Sequence, residues 1–321
     1  MEYLAKYELS PRGGGGNTTR NVIACPLSGI CKGEVFDVKG YATAVTENLL
    51  RQETSFKLPR KFKISFSCCS RDCTGSLVND LGFLAEIRDN KKGFRTYVGG
   101  GLGASSRIGK LLEEFVPEKD LGYCVTAVKN IYYRKGDRRN KHHNRLRFLI
   151  EDMGFEEFKK LYKEEFDELK EKEHIALRKV AFPIEKTNEG KIPKKDDAGY
   201  KEFLKYNVTE QKQKGFLSAE LRISRGDISA EKLTNLAELG KGFPGIEFRT
   251  SQNQNIVICW VRSGDIYKLY TKLKETINDF IYPNTLLDVV SCKGAVTCNL
   301  GLCNSPALTK EIEDVVKNKF I

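Results

Sequence analysis

Two groups of cysteines near the start of the chain have the spacing to do chemistry. The stretch FSCCSRDCTGSLVNDLGF, residues 66–83, holds three cysteines within six positions, and an earlier pair is separated by five residues. The two groups together give a four-cysteine set: Cys25, Cys31, Cys69 and Cys73. Four thiolates from two loops are the ligand number of a [4Fe–4S] cluster. The spacing therefore favours an iron–sulfur site.

Other uses of these thiols stay open on the residues alone. Structural zinc usually takes C-x2-C pairs, and the sequence contains none. A thioredoxin-like redox motif needs the same spacing and is equally absent from the sequence. Free cysteines are also common as small residues of a hydrophobic core. A disulfide is disfavoured if the compartment is reducing.

The composition predicts a soluble cytoplasmic protein with an anionic partner. The 321 residues are 40% hydrophobic and 30% charged, and no apolar run approaches the roughly 18 residues of a membrane span. The start, MEYLAKYELS, lacks the apolar core of a secretion signal, which indicates a reducing compartment. The net charge of +11 favours an anionic partner. We expect neither membrane nor nucleic acid, because no helix-turn-helix or zinc-finger spacing occurs.

The elements that would position the first cysteines follow from periodicity. Residues 36–50 predict a helix, and a strand is predicted to begin at Lys61. LGFLAEIR and GFRTYVGGGLG predict two further strands, the second ending in a glycine-rich turn. Residues 138–174 have the spacing of long, charged helices, and the histidines within them are assigned no metal.

The second half of the chain repeats part of this pattern. Residues 215–275 predict the order strand, helix, strand, strand, helix, which is typical of a ferredoxin-like α+β unit, with Ser229 as N-cap and Gly240 as C-cap. Cys292 and Cys298 then repeat the five-residue spacing of the first pair. We interpret this repeat as the start of a second copy of the first lobe.

The stretch CCSRDCTGSLVNDLGF closely resembles the signature of sirohaem nitrite and sulfite reductases, with Cys68 where that family has glycine. Other segments extend the resemblance over nearly the whole chain. NTTRNVIACPL is similar to the family's Arg-Asn loop, LPRKFK to its basic strand, YVGGGLG to its glycine turn and EFRTSQNQNIVI to its second ferredoxin-like half-domain. Together these motifs are far more specific than any one alone.

The resemblance implies a sirohaem stacked against a [4Fe–4S] cluster. By its place in the motif, Cys73 is expected to bridge the cluster and the haem. Members with two lobes typically keep the cluster cysteines in the second lobe, so Cys292 and Cys298 are second-lobe candidates. In such members the first lobe contributes basic residues.

The same resemblance assigns roles to basic and glycine residues. Lys61 and Lys63 would point to one face of a strand, and with Arg20 they are expected to hold the substrate oxyanion and supply protons. A solvated edge strand is the plainer alternative. The expected cofactor-binding residues are Asn21, Gly99, Gly100, Gly101, Gly103 and Arg107. For the glycines, a simple tight turn is the alternative, and for Arg107 a charged surface.

The predicted fold class is α+β, with a mixed sheet in the sirohaem lobe. The expected divisions are a sirohaem and cluster lobe at 1–137, a helical connector and linker at 138–205, a ferredoxin-like half-domain at 206–277 and an incomplete second lobe at 278–321. Relative to the family pattern, an N-terminal ferredoxin-like half-domain and most of the second lobe are expected to be missing.

The function predicted from these motifs is six-electron reduction of sulfite to sulfide, with an acidic ferredoxin or a flavoprotein as electron donor. Nitrite reduction to ammonia is the alternative. Sulfite is preferred because nitrite-reducing relatives often have Asn where this chain has Lys63, and a second cation suits a dianion. Two rivals remain: a non-catalytic [4Fe–4S] electron carrier, and a basic nucleic-acid-binding protein with structural zinc.

Overall fold

The computed structural model describes residues 2–7, 9–103, 105–177, 188–277 and 279–320. The chain forms two compact units. The first comprises Met1–Gly29 and Gly33–Pro183, and the second comprises Ile30–Lys32 and Ile184–Ile321. Among the described residues, no helix has the length and apolar character needed to cross a membrane.

A five-stranded mixed sheet forms the centre of the first unit. In chain order, which is also their order across the sheet, its strands are β1 (Ile23–Ala24), β2 (Ile64–Ser67), β3 (Leu81–Arg88), β4 (Lys91–Val98) and β5 (Lys110–Pro117). β1, β2 and β3 run parallel, whereas β4 pairs antiparallel with both β3 and β5. The α+β class and the mixed sheet are confirmed.

Helices cover this sheet and complete its core. They are α1 (Glu2–Ala5), α2 (Lys39–Leu50), α3 (Leu121–Lys135), α4 (Leu146–Met153) and α5 (Phe155–Lys172). Phe66 and Phe83 stack with ring centroids 4.6 Å apart, and Phe94 meets both rings edge-on. The helices of the predicted connector contribute to the same core through Ile150 and Phe158, which are almost fully buried.

The predicted helix from residue 138 begins only at Leu146. Asp137 explains the delay, because its carboxylate accepts the backbone N–H groups of Arg139 and Asn140 and holds a turn there. His143 lies in the segment that follows, and its ring stacks on Phe148 with centroids 4.1 Å apart.

The second unit is built on a four-stranded antiparallel sheet in the order β6, β7, β9, β8. Its strands are β6 (Val208–Glu210), β7 (Phe216–Leu221), β8 (Glu247–Thr250) and β9 (Ile256–Arg262). Its helices are α6 (Ala198–Tyr206), α7 (Ala230–Lys241), α8 (Ile266–Thr276) and α9 (Ser305–Phe320). β7, α7, β8, β9 and α8 reproduce the strand and helix order expected for residues 215–275.

Of the two caps predicted for α7, only the N-cap agrees with the structure. Ser229 is its N-cap, because the side-chain hydroxyl accepts the N–H of Lys232 at 3.2 Å. The predicted C-cap at Gly240 is wrong, since the helix continues to Lys241. Gly240 is needed for space instead: a Cβ there would lie 2.8 Å from the ring of Phe248.

Candidate functional site

Basic residues gather at the amino ends of β1 and β2. Phe62, just before β2, is fully buried and forms a parallel bridge with Thr19. The N–H of Arg20 donates to the carbonyl of Phe62 at 2.8 Å. Because side chains alternate along extended backbone, Lys61 and Lys63 lie on the face opposite Phe62, and both are half-buried. Two neighbouring segments thus bring together all three residues predicted as catalytic.

The pKa values of Lys61 and Arg20 are lowered because these cations are half-buried and lie close together. Burial lowers the pKa of Lys61, and the positive charges of Arg145, Lys63, Arg20 and Arg60 lower it further. Burial likewise lowers the pKa of Arg20, with added repulsion from two of the same groups. We call these five residues the cationic cluster: Arg20, Arg60, Lys61, Lys63 and Arg145.

Sequence reasoning missed two members of the cationic cluster. Arg60 lies in the LPRKFK run, next to the predicted pair, so its neighbours were a usable signal. Arg145 lies in the loop before α4, far away in sequence, and no local pattern marks it. Only the folded position of the loop before α4 brings Arg145 to Asp80 and the basic strand.

Asp80 is the buried anchor of the cationic cluster. Its carboxylate accepts hydrogen bonds from Nη2 of Arg145, at 3.0 and 2.8 Å, and from the N–H of Lys63, at 2.8 Å. Burial raises the pKa of Asp80, and Arg145 limits that rise. The acidic residue of the sequence motif therefore fixes the position of a cation in the fold.

The predicted glycine turn packs against the same region. The N–H of Gly99 donates to the Asp80 carbonyl at 2.9 Å. A Cβ at Gly100 would lie 2.4 Å from the Leu77 carbonyl, and one at Gly101 would lie 2.3 Å from Nη1 of Arg147. Close packing inside the protein thus accounts for these two glycines.

The other expected cofactor residues are more exposed. Gly103 and Asn21 are exposed, and Arg107 pairs with Glu151 at 3.1 Å. Beside the turn lies a cavity of about 220 Å³ to which Arg107 and Arg147 contribute positive charge. A role in cofactor binding for these residues stays a prediction.

Three cysteine sulfurs meet at the carboxyl ends of β1 and β2. Cys25 directly follows β1 and Cys68 directly follows β2. The thiol of Cys25 contacts those of Cys68 and Cys73. The contact with Cys68, together with burial, raises the pKa of Cys25 to about 12, and the contact with Cys25 raises that of Cys73. Cys68 was not in the predicted ligand set, although its position beside Cys69 was a signal.

The loop that carries Cys69 and Cys73 is held by Asp72. Its backbone is left-handed, with φ of 50°. The carboxylate accepts hydrogen bonds from the Ser67 hydroxyl and the Ser76 N–H, both at 2.7 Å. These bonds fix the direction of the chain between the two cysteines, which spacing alone does not reveal.

The four cysteines predicted as cluster ligands are divided between the two units. Cys31 lies in Ile30–Lys32, which belongs to the second unit, where the N–H of Lys212 donates to the Ile30 carbonyl at 2.8 Å. In the part of the chain that the structure describes, no three His, Cys, Asp or Glu side chains are positioned to hold a metal ion. The ligand role of Cys25, Cys31, Cys69 and Cys73 stays a prediction.

The cationic cluster and the thiols lie at opposite ends of β2. Lys63 precedes this four-residue strand and Cys68 follows it. At about 3.3 Å per residue, the backbones of Lys63 and Cys68 are roughly 16 Å apart. The first unit thus has two separate groups: cations at the amino ends of the parallel strands and thiols at their carboxyl ends.

A second group of thiols lies before α9 in the second unit. Cys292, Cys298 and Cys303 are all exposed. The hydroxyl of Ser305 lies 3.4 Å from Sγ of Cys292 and 3.6 Å from Sγ of Cys303. The contact with Ser305 lowers the pKa of Cys292. Cys303 was not among the predicted residues, although it follows Cys298 closely in the sequence.

Two family models match the chain over most of its length. The model described as the nitrite and sulphite reductase 4Fe-4S domain matches residues 15–170. The model described as the nitrite/sulfite reductase ferredoxin-like half domain matches residues 209–276. The first match contains the whole sheet of the first unit, and the second contains β7, α7, β8, β9 and α8 of the second unit.

Curated relatives include reductases for both oxyanions. The assimilatory ferredoxin-dependent nitrite reductase of Haloferax mediterranei is 26% identical, over 96% of this chain and 52% of its own length. The ferredoxin–nitrite reductase of Synechococcus elongatus is 26% identical, over 94% and 56%. The sulfite reductase [NADPH] hemoprotein beta-component of Nitrosomonas europaea is 25% identical, over 81% and 44%. The chain spans about half the length of the curated relatives it matches.

A solved structure shares the fold. The NirA protein of Mycobacterium tuberculosis superposes with a TM-score of 0.75 at 21% identity, covering 95% of this chain and 53% of that one. At family level, the pairing of a [4Fe–4S] cluster with sirohaem is confirmed, and the relatives described above are named as reductases. The matched domains and relatives agree with the motifs read from the sequence, and the chain belongs to the nitrite and sulfite reductase family.

Proposed function

We propose that this chain takes part in the six-electron reduction of a small oxyanion, and that the cationic cluster binds the anion or the carboxylates of the cofactor. The observation that carries this proposal is the gathering of the cationic cluster at the amino ends of β1 and β2, where Asp80 holds Arg145 and the backbone of Lys63. Like charges held together on folding are costly, and an anion placed between them offsets that cost.

The first unit's own residues supply position and protons. Asp80 orients Arg145, and the paired backbones of residues 19–20 and 62 orient Arg20. An ammonium group with a lowered pKa gives up its proton more readily, so Lys61 is suited to donate protons to a bound oxyanion. A bound sirohaem with an iron–sulfur cluster would supply the electrons.

Nitrite is the first candidate substrate, because more of the relatives described above are named nitrite reductases than sulfite reductases. Sulfite is the second candidate, and a specific observation favours it: Lys63 places a second ammonium group beside Lys61. A dianion gains more from two cations than a monoanion does.

A ferredoxin is the proposed electron donor. The two nitrite reductases described above are named for ferredoxin. The net charge of +11 suits an acidic protein, because opposite charges speed the encounter of two proteins. A flavoprotein donor remains the alternative.

Binding of the two anions to lysine variants tests this proposal. Calorimetric titration at low salt measures the Kd of nitrite and of sulfite for the parent chain, Lys61→Gln and Lys63→Asn. Lys91→Gln is the matched control, since Lys91 is exposed on β4. We expect Lys61→Gln to raise both Kd values about 5-fold, or about 1 kcal/mol for one partly screened charge pair. Lys63→Asn is expected to weaken sulfite binding more than nitrite binding.

The assignment of the cationic cluster to the substrate oxyanion fails if neither anion binds the parent chain, or if Lys61→Gln and Lys91→Gln change the Kd equally. Equal losses of sulfite and nitrite binding in Lys63→Asn would remove the argument for sulfite. Low salt is necessary because roughly 0.1 M salt screens charges over about 10 Å.

A further inference from the structure

The cavity beside the glycine turn of the first unit has an excess of positive charge. Its volume is about 220 Å³, smaller than the roughly 300–1,000 Å³ of pockets for drug-sized ligands, so it cannot enclose a tetrapyrrole. Arg107, Lys110 and Arg147 line it, against the one carboxylate of Glu151. Glu151 already pairs with Arg107 at 3.1 Å. The cavity is therefore sized and charged for a small anion.

Arg147 is a buried cation without a counter-charge. It is only 8% exposed, and its Nε is buried with no hydrogen-bond partner. Its Nη1 donates to the Leu102 carbonyl at 3.3 Å, and its guanidinium lies 4.7 Å from the centroid of the Phe148 ring. Among the described residues, no carboxylate forms an ion pair with Arg147, whereas Arg145 pairs with Asp80. Because buried arginines are almost always paired, the unfilled donor positions point to an anion in the cavity.

The amino end of α5 borders the same cavity. Gly154 and Phe155 line it, at the beginning of this 18-residue helix. Gly154 is the N-cap residue, with φ of 86°, and no side chain caps the helix there. The first N–H groups of a helix have no partner within it, and its amino end carries partial positive charge, which suits phosphate. The buried guanidinium and the uncapped helix end are independent features that favour the same ligand.

We propose that this cavity binds a small organic phosphate, with the phosphate group between Arg147 and the amino end of α5. The organic part lies against Ile150, which is buried, and Ile108, which is 74% exposed. Several donors around one site suit a phosphate dianion, because charge-assisted hydrogen bonds from arginine are strong.

The charges around Arg147 support this assignment. Burial lowers the pKa of Arg147, and the positive charges of Arg145 and Arg107 lower it further. A bound anion would offset both costs. Of the residues that line the cavity, none belongs to the cationic cluster. The inference therefore does not depend on the proposed reductase activity.

Calorimetric titration at low salt and pH 7 measures the Kd of phenyl phosphate and of inorganic phosphate. Arg147→Met keeps the length of the side chain and removes its charge. Arg139→Met is the matched control, since Arg139 is exposed. We expect phenyl phosphate to bind the parent chain about 10-fold more tightly than inorganic phosphate, because its ring covers apolar surface. Arg147→Met is expected to raise the Kd of phenyl phosphate at least about 10-fold, and Arg139→Met less than about 2-fold.

Urea unfolding shows whether Arg147→Met keeps the fold. Because Arg147 has no carboxylate partner among the described residues, its removal leaves no buried charge uncompensated. We expect the free energy of unfolding of Arg147→Met to be no lower than that of the parent chain. A loss as large as that of Arg145→Gln would show that Arg147 holds the fold rather than a ligand.

Four results of the titrations would overturn the proposal. Phenyl phosphate does not bind the parent chain, or it binds no more tightly than inorganic phosphate does. Arg147→Met and Arg139→Met change its Kd equally. Lys61→Gln weakens its binding as much as Arg147→Met does, which would place the anion at the cationic cluster. Finally, a chain loaded with sirohaem and iron–sulfur cluster no longer binds phenyl phosphate, which would assign the cavity to a carboxylate of the cofactor.

Discussion

The buried ion pair between Asp80 and Arg145 gives a quantitative test of how the first unit holds its cations. The side chain of Asp80 is fully buried, and that of Arg145 is 12% exposed. Asp80→Asn preserves the shape of the side chain but removes the negative charge opposite Arg145. The variant also leaves Lys61 and Lys63 beside a cation that has lost its counter-charge.

The size of the effect follows from the burial of both partners. Removing one partner of a buried pair costs about 3–5 kcal/mol, because the other charge stays buried without compensation. We expect the lower value, about 3 kcal/mol, since Arg145 keeps some contact with water. In the parent chain desolvation of Asp80 outweighs its gain from Arg145, as the raised pKa of Asp80 indicates. The loss in the variant therefore comes from Arg145, which stays largely buried without a counter-charge.

Urea unfolding at pH 7, followed by circular dichroism, measures this loss. The matched control is Asp89→Asn, which removes the same charge from an exposed turn whose φ of 49° asparagine tolerates. We expect the control to change the free energy of unfolding by less than about 0.5 kcal/mol. Equal losses in Asp80→Asn and Asp89→Asn would refute the assignment of Asp80 as anchor. So would strictly additive losses in the double variant with Arg145→Gln, because paired residues couple.

Two further substitutions test the first unit. Burial lowers the pKa of Lys129 to about 8. Between about pH 8 and the ordinary lysine pKa near 10.4, the unfolded chain therefore binds more protons at this residue than the folded chain does. The contribution of Lys129 to the free energy of unfolding rises with pH over that range. Lys129→Met is expected to remove that rise, on the order of 3 kcal/mol, in urea unfolding at pH 7 and pH 10; an unchanged pH dependence contradicts the assignment. A Cβ on Gly82 would lie 2.1 Å from the Ser76 carbonyl, so Gly82→Ala is expected to lower the free energy of unfolding by about 1–3 kcal/mol. Gly33→Ala is the control, because a Cβ at Gly33 meets open space. Equal losses in the two variants would show that the backbone at Gly82 moves to accept the Cβ.

Local pattern predicted the regular elements better than the contacts between them. LGFLAEIR alternates and is bounded by turns, and it forms the whole of β3. The basic strand was placed too early, since β2 begins only at Ile64, although Phe62 already pairs with Thr19. β6 went unpredicted because its three residues carry too little periodicity.

Contacts between distant residues set the limit of sequence reasoning at the site. Arg20, Lys61 and Lys63 were found because neighbouring parallel segments carry them. Arg145 was missed because helix packing, which leaves no local signal, brings it to Asp80. Among the thiols, spacing selected Cys69, whereas the contact with Cys25 involves Cys68 and depends on backbone direction.

The two thiol groups differ in a way that bears on where iron would bind. Cys25, Cys68 and Cys69 are almost fully buried in the hydrophobic core of the first unit, so a cluster there would displace packed side chains, which costs several kcal/mol in a close-packed interior. Cys292 and Cys298 lie on an exposed loop and need no such displacement. The first unit offers oriented cations at the other end of β2. We therefore expect the Cys292–Cys298 loop to supply thiolates to iron more readily than the buried thiols of the first unit.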